Sequence, residues 1–329
     1  MDGLATVFGG SGFVGAQIVR ALARSGWRVR VAVRQPGRGY RLRMLGDVGQ
    51  IEIVQANVRN LASIDRALDG AEACINAVGV LHEQARQRFA ALHVEAARAV
   101  AQAAIAHGAS RIVHISALGA GDDAQSAYAR SKAAGEAAVR KAAPSVVILR
   151  PSVVFGPDDH FFNRFAAMAM ISPVLPLIGG GATRFQPVFV ADVAAAVAQA
   201  ISRDGAAGLT YELCGPAIYS LKAIIELMLK EIRRTRLLAP LPFPVARLAG
   251  LGGDMLAALT PFTPPITSDQ VDLLRRDSVV AQGALGLTDL GVAATALEPV
   301  IPTYLYRYRK GGQYAALDGG IPQPTASAA

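Results

Sequence analysis

Residues 4–33 read as one continuous unit of strand, turn, helix and strand. The short apolar run 4–8 has the length and residue types of a buried strand. It breaks into Gly9, Gly10, Ser11, Gly12, Phe13, Val14 and Gly15, then continues as a helix that Gly26 stops. Residues 28–33 form the next strand, which completes a β-α-β unit. Gly10, Gly12 and Gly15 fit G-x-G-x-x-G, while Gly9, Gly12 and Gly15 fit G-x-x-G-x-x-G. The turn is tight, a pyrophosphate must approach bare backbone, and helix must pack closely on strand, so each position excludes a side chain. The helix N-terminus then offers free N–H groups and partial positive charge to the phosphates. With 33 glycines in the chain a triplet alone means little. Its place between a first strand and a first helix makes it a dinucleotide-binding turn.

The same alternation continues. Strands are expected at 51–55, 73–77, 111–116 and 146–149, with helices at 63–68, 89–107 and 127–142 between them. This order predicts an α/β fold, a Rossmann-type doubly wound parallel sheet. After Pro157 the rhythm changes. A helix at 161–170 precedes a break containing Pro173, Pro176 and three successive glycines, 179–181. Then come a strand at 185–190, a helix at 193–201 capped by Asp192, a strand at 209–214 and a helix from Ser220 to about 233. Residues 237–267 are apolar and proline-rich, Ser268 caps a short helix to about 276, and the tail is rich in Gly, Ala, Pro and Ser. The expected division is a dinucleotide-binding domain of 1–157 plus 203–216, and a smaller C-terminal lobe of 158–202 and 217–309. Residues 310–329 read as a disordered tail.

Composition narrows the function classes. The formal net charge is +8, and only five of the 33 basic residues are lysines. Such an excess suits phosphate-bearing ligands, an anionic membrane surface or an acidic partner. No arginine-aromatic stripe and no zinc-finger spacing points to nucleic acid, and no cluster of metal-ligating residues stands out. Cys74 and Cys214 lie in apolar strand-like runs and read as buried, reduced thiols, which suits a cytoplasmic compartment. Met1 leads directly into the first strand, so no signal peptide is expected. Residues 165–183 carry no charge, but the prolines and glycines within them argue against a membrane span.

Candidate site residues fall at the ends of the predicted strands. An NAD-selective site places a carboxylate at the end of the second strand; here Arg34 follows Val33, which favours the 2′-phosphate of NADP(H) and leaves NAD(H) open. Asn57 and Val58 follow the third strand. Ala77, Val78 and Gly79 follow the fourth, where small residues let an adenosine lie across the sheet edge. Ser116 ends the fifth strand, and Tyr128 and Lys132 lie one helical turn apart on one face. A tyrosine beside an ammonium can reach the phenolate more easily and act as general acid or base, with Ser116 holding a substrate oxygen.

The glycine turn, Ser116, the Tyr128/Lys132 pair and the run of residues 150–157, R-P-S-V-V-F-G-P, together resemble the extended short-chain dehydrogenases/reductases, the nucleotide-sugar epimerase and dehydratase relatives. The resemblance spans roughly residues 3–230. It implies that Tyr128 and Lys132 serve catalysis and cofactor binding and that Pro151 and Val153 lie near the nicotinamide. Asn57 stands where that family commonly has an aspartate, and His93 where an asparagine often supports the active site. Residues 150–164, 175–181 (L-P-L-I-G-G-G), 184–193 (R-F-Q-P-V-F-V-A-D-V) and 210–219 more narrowly resemble the nucleotide-binding accessory-subunit family of respiratory complex I, in its bacterial form. That resemblance implies tightly held NADPH, a role in assembly or stability, and respiratory complex I subunits as partners. It also implies a location in the cytoplasm or at the cytoplasmic face of the inner membrane, with peripheral contact to an anionic membrane surface. Residues 237–267 would then meet a partner or membrane, or else cap the cleft. The alternative is an active NAD(P)-dependent reductase, epimerase or dehydratase using Ser116, Tyr128 and Lys132.

Overall fold

The computed structural model describes residues 2–84, 87–259 and 266–314. Seven strands form one parallel sheet: β1 (Asp2–Phe8), β2 (Trp27–Val33), β3 (Ile51–Gln55), β4 (Ala73–Asn76), β5 (Arg111–Ile115), β6 (Val147–Pro151) and, later in the chain, Thr210–Leu213. The spatial order is Thr210–Leu213, β6, β5, β4, β1, β2, β3. The order reverses between β1 and β4, and such a switch point opens a crevice at the strands' carboxyl ends. Helices α1 (Phe13–Arg24), α2 (Leu61–Leu68), α3 (Ala96–Ala106) and α4 (Ala127–Ala142) cross over between the strands.

Both faces of the sheet are covered, which is why its strands are apolar on both sides. On one face Val7, Val31, Val113 and Leu149 pack with Ile18, Val19 and Leu22 of α1. On the other, Phe8, Cys74 and Ile148 pack with Ile64 and Leu68 of α2 and Val100 of α3. Cys74 and Cys214 are both buried free thiols.

Beyond β6 lie β7 (Val154–Phe155), α5 (Phe162–Ile171), β8 (Val174–Ile178), β9 (Arg184–Phe185), β10 (Val188–Phe189) and α6 (Val190–Ser202). The edge strand Thr210–Leu213 is β11. It is followed by β12 (Tyr219–Ser220), α7 (Leu221–Glu231), β13 (Leu237–Leu241), α8 (Phe243–Leu259), α9 (Ser268–Leu273) and α10 (Pro302–Leu305). A third core joins Phe155, Phe162, Leu175, Phe185, Ile225 and Tyr304 and holds the smaller lobe together.

Several local expectations are corrected. Helix α6, within the segment 158–202 expected in the smaller lobe, packs through Val193, Val197 and Ile201 in the same core as α1. The expected strand at 185–190 is two short strands, β9 and β10. Because α6 begins at Val190, Asp192 lies inside its first turn and is not its cap. The Asp192 carboxylate instead accepts from Thr295 N–H at 2.7 Å and Thr295 Oγ1 at 2.9 Å. The proline-glycine break contains β8, which pairs in parallel with β13, Val174 opposite Leu237. Pro173 and Pro176 remove donors there without preventing that pairing. Thr267, not Ser268, caps α9, in a capping box with Gln270. The run 237–267 folds as β13 and α8 through Leu259; residues 260–265 lie outside the described residues, as does the tail from 315. No helix among the described residues is long and apolar enough to cross a membrane.

Candidate functional site

The glycine turn joins β1 to α1. Gly9 has φ +80°, and a Cβ there would lie 2.9 Å from the Ala77 carbonyl oxygen, which ties the turn to the end of β4. A Cβ on Gly15 would fall on the Gly9 carbonyl, and one on Gly10 would press on Val31 at 2.5 Å. Gly12 differs: its Cβ would meet only Gly9 O, at 3.3 Å, and the residue is exposed. It is the N-cap of α1, with no side-chain cap and no acidic residue in the first turn. The N–H groups of Phe13, Val14 and Gly15, beside Ser11, have no intrahelical acceptor and face an uncompensated positive helix end. This cradle fits a dinucleotide pyrophosphate: free N–H groups and a positive helix end suit an anion, and a side chain at Gly12 would crowd its open side.

Around the cradle stand the other strand ends. Exposed Arg34 donates to Gln87 Oε1 at 3.4 Å. Asn57 Oδ1 accepts from Arg59 N–H at 3.1 Å, and Asn57 N–H donates to Ser63 Oγ, so this residue builds its own turn. Val58 is buried in the second core. After β4, Ala77 N–H donates to Phe8 O and Val78 N–H to Asn76 Oδ1, leaving Gly79 facing the Lys132 amine. Pro151 closes β6 and accepts from Leu118 N–H at 2.9 Å; Val153 follows it, packed against the third core.

Tyr128, Lys132 and Glu136 line one face of α4. Lys132 Nζ donates to the Ile115 carbonyl at 3.1 Å and lies 5.9 Å from the Tyr128 ring centroid. Burial pulls the Lys132 amine down to about 8, against the opposing pull of Glu136. Tyr128 moves contrary to the sequence expectation: burial, then the nearby Asp269 carboxylate, push its hydroxyl up to about 12. Asp269, from α9, accepts from Ser126 Oγ at 2.9 Å, Ala127 N–H at 2.6 Å and Tyr128 N–H at 3.2 Å. It thereby joins the smaller lobe to the start of α4.

The expected helix at 89–107 opens with a π turn, Ala90–Glu95, before α3. His93 lies in that turn, and a Cβ on Gly135 of α4 would fall on its carbonyl, so the two helices meet without an intervening side chain. His93 Nε2 accepts from Val80 N–H at 3.1 Å, which leaves the ring proton on Nδ1 to donate to Ser131 Oγ at 2.8 Å. Ser131 donates in turn to Tyr128 O. Burial and the Lys132 charge hold His93 down at about 3. It is a neutral wedge, stacked on Phe89 and edge-on to Tyr128.

Ser116 is placed differently from that pair. It is 3% exposed, and its hydroxyl donates to Glu136 Oε1. Glu136 is itself clamped by Arg150, Nε at 2.9 Å and Nη2 at 2.7 Å. Glu136 lies two helical turns, about 12 Å of axis, beyond Tyr128. The structure thus brings Tyr128 and Lys132 together and draws Ser116 to Glu136. Sequence reasoning missed Glu136, although its i+4 spacing from Lys132 was a signal. It also missed Asp269, for which no local signal exists.

Residues 5–214 match the model of the NAD dependent epimerase/dehydratase family. The chain belongs to that family. Among similar proteins, alpha subcomplex subunit 9 of mitochondrial NADH dehydrogenase [ubiquinone] 1 from Arabidopsis thaliana is 36% identical over 316 residues, covering 94% of this chain and 79% of that protein. The Rattus norvegicus subunit is 36% identical over 308 residues, 93% of this chain and 80% of that protein. The narrower resemblance read from the sequence is therefore borne out, and it extends well past residue 235. A ceramide reductase of Caulobacter vibrioides is 38% identical over 193 residues, 59% of each chain. An Escherichia coli NADPH-dependent quinone oxidoreductase complexed with NADPH shares the fold at a TM-score of 0.71 and 20% identity, covering 91% of this chain and 99% of that one. The epimerase/dehydratase family is NAD(P)-binding, and the Rossmann reading of the sheet stands.

Proposed function

We propose that this chain holds NADP(H) as an accessory subunit of a respiratory NADH–quinone oxidoreductase and serves its assembly or stability. The observation that carries this reading is Ser116, its hydroxyl committed to the Glu136–Arg150 pair and so withheld from the Tyr128/Lys132 pair. The cradle of Gly9, Gly10, Ser11, Gly12, Phe13, Val14 and Gly15 supplies backbone N–H groups to the pyrophosphate. Arg34 is free to swing from its long contact with Gln87 toward a 2′-phosphate. Ala77, Val78 and Gly79 would border the adenosine, with Asn57 and the backbone of Val58 at its edge, and Lys132, whose amine donates to the Ile115 carbonyl, would reach the ribose between Tyr128 and Gly79. Pro151 and Val153 would wall the nicotinamide end. A bound nicotinamide dinucleotide supplies hydride chemistry. A hydride acceptor needs orienting as well as a proton, and Ser116 has its own hydroxyl proton committed to Glu136. Residues so arranged suit retention of the nucleotide more than turnover.

The partner assignment is supported by the reach of the similarity to the mitochondrial subunits, over 93–94% of this chain. The rival reading, an active reductase, draws support from the intact Tyr128/Lys132 pair and from the shorter match to the ceramide reductase. Affinity purification of the tagged chain from solubilised membranes tests both. Recovery with the respiratory complex, carrying about one NADP(H) per chain, supports the subunit. Recovery as a free protein that reduces carbonyl compounds supports the enzyme.

A further inference from the structure

Away from the nucleotide cradle, a groove of about 640 Å³ opens in the smaller lobe between α7 and the β8/β13 pair. Four cations line it: Lys222 and Lys230 from α7, and Arg234 and Arg236 from the segment that leads into β13. Glu226 is the one acidic residue of its lining, 3.8 Å from Lys222 across an exposed i,i+4 spacing. Arg234 donates to the Tyr308 carbonyl, and Arg236 to the carbonyls of Ala169 and Thr235. These neutral acceptors orient the guanidinium groups without cancelling their charge. The groove therefore carries three net positive charges within one cavity.

Its floor is apolar, made by Leu177, Leu229, Leu238 and Pro240. At the Arg236 end, β8 and β13 begin side by side, and exposed aliphatic residues gather there. Ile171 is 87% exposed, and Leu237, paired with Val174, is 67% exposed. Cations over an apolar floor that runs out to bare aliphatic side chains complement an anion attached to a hydrocarbon. An acidic peptide adding to the strand pair fits less well, because Pro176 in β8 and Pro240 in β13 each remove a backbone donor that an added strand would use.

We propose that this groove binds the phosphate headgroup of an anionic phospholipid, with Ile171, Val174 and Leu237 entering the interface beside it. The chain's excess basic charge thereby gains a specific place of action. The inference deepens the membrane contact that the subunit resemblance implies, but none of these residues belongs to the nucleotide cradle, so its failure would leave the nucleotide reading standing.

The test is flotation of purified, nucleotide-loaded protein with phosphatidylcholine vesicles, with and without phosphatidylglycerol. Binding is expected only where phosphatidylglycerol is present, and it should fall as salt screens the surface. Each basic side chain near an anionic surface is worth about 1 kcal/mol, so Lys222→Gln/Lys230→Gln should weaken binding roughly 30-fold while nucleotide content and melting temperature hold. A control pair outside the groove, Arg24→Gln/Arg41→Gln, removes the same charge from exposed positions and should cost far less. Ile171→Ser/Leu237→Ser should weaken binding at unchanged charge. Equal loss from the groove and control pairs would show only diffuse attraction and overturn the proposal. So would flotation on phosphatidylcholine alone, or binding of a polyglutamate probe without flotation, which would point to an acidic protein partner.

Discussion

Replacing Asp269 with alanine should loosen the hold of the smaller lobe on the candidate site, by an amount the geometry allows to be worked out. The carboxylate accepts from Ser126 Oγ, Ala127 N–H and Tyr128 N–H, and so serves the exposed amide end of α4 from 141 residues further along the chain. Ser126 remains the N-cap of α4, so what is lost is the acceptor of the Ala127 and Tyr128 N–H groups, about 0.5–1.5 kcal/mol net, and a negative charge at the helix N-terminus, about 0.3–1 kcal/mol more. Together these give roughly 2 kcal/mol, a fall in melting temperature of about 4–8 °C if each kcal/mol shifts it by about 2–4 °C. Asp269→Asn keeps an acceptor in place and should cost about half as much. Both changes remove a negative charge facing the Tyr128 hydroxyl, so its pKa should fall from about 12, with burial still holding it above the ordinary value. Thermal unfolding by circular dichroism reads the first effect. An ultraviolet difference titration against Tyr128→Phe reads the second. A melting temperature equal to wild type in Asp269→Ala, with the Tyr128 titration unmoved, would refute the coupling.

Three further outcomes follow from the site. Gly12→Ala should keep the fold, since its Cβ meets only Gly9 O at 3.3 Å, yet lose bound nucleotide; Gly15→Ala should unfold the turn, because its Cβ falls on Gly9. Melting curves and the nucleotide content of the purified variants check this pair. Arg34→Ala should weaken NADPH binding at least tenfold by titration calorimetry and leave NADH nearly unchanged, and equal effects on both would assign Arg34 to the solvated loop. His93 and His114 are both held down at about 3, below the ordinary 6.5, so protons bind the unfolded chain first and stability falls as pH drops from about 6.5 toward 3. Between pH 7 and 5.5 each histidine should remove about 1 kcal/mol in urea unfolding, and His93→Gln should remove its share of that slope.

The sheet was legible because each β-α-β unit carries its own periodicity and stop signals. Even the π turn at Ala90–Glu95 lay within a segment read as helical. The smaller lobe was far less so. Its strands β9, β10 and β12 are two residues long, too short for any alternation to register. β8 hid behind Pro173 and Pro176, since proline argues against a strand unless the partner needs no donor at that position. At the site, the spacing of Tyr128 and Lys132 revealed their meeting, because four residues on a helix set neighbours. Ser116 misled for the opposite reason: its place at a strand end gave no sign that Glu136 would take its hydroxyl. Asp269 could not be anticipated, since its partners lie across a tertiary contact. The direction of the Tyr128 shift was equally hidden, because it is set by burial and Asp269, neither of which the local sequence makes visible.

The central claim, that the chain holds its nucleotide for assembly and not for turnover, is tested most directly by Tyr128→Phe in the living cell. The readout is the amount of intact respiratory NADH–quinone oxidoreductase in membranes, resolved on native gels, beside wild type and a deletion. In an enzyme the hydroxyl moves a proton in the transition state, and its loss costs about 10²–10⁴-fold in rate. In a nucleotide-holding subunit it removes at most one hydrogen bond, about 0.5–1.5 kcal/mol, and the cradle retains the ligand. The account predicts wild-type levels of the complex with NADP(H) still bound. A folded, nucleotide-loaded Tyr128→Phe protein that nonetheless reproduces the deletion would contradict it.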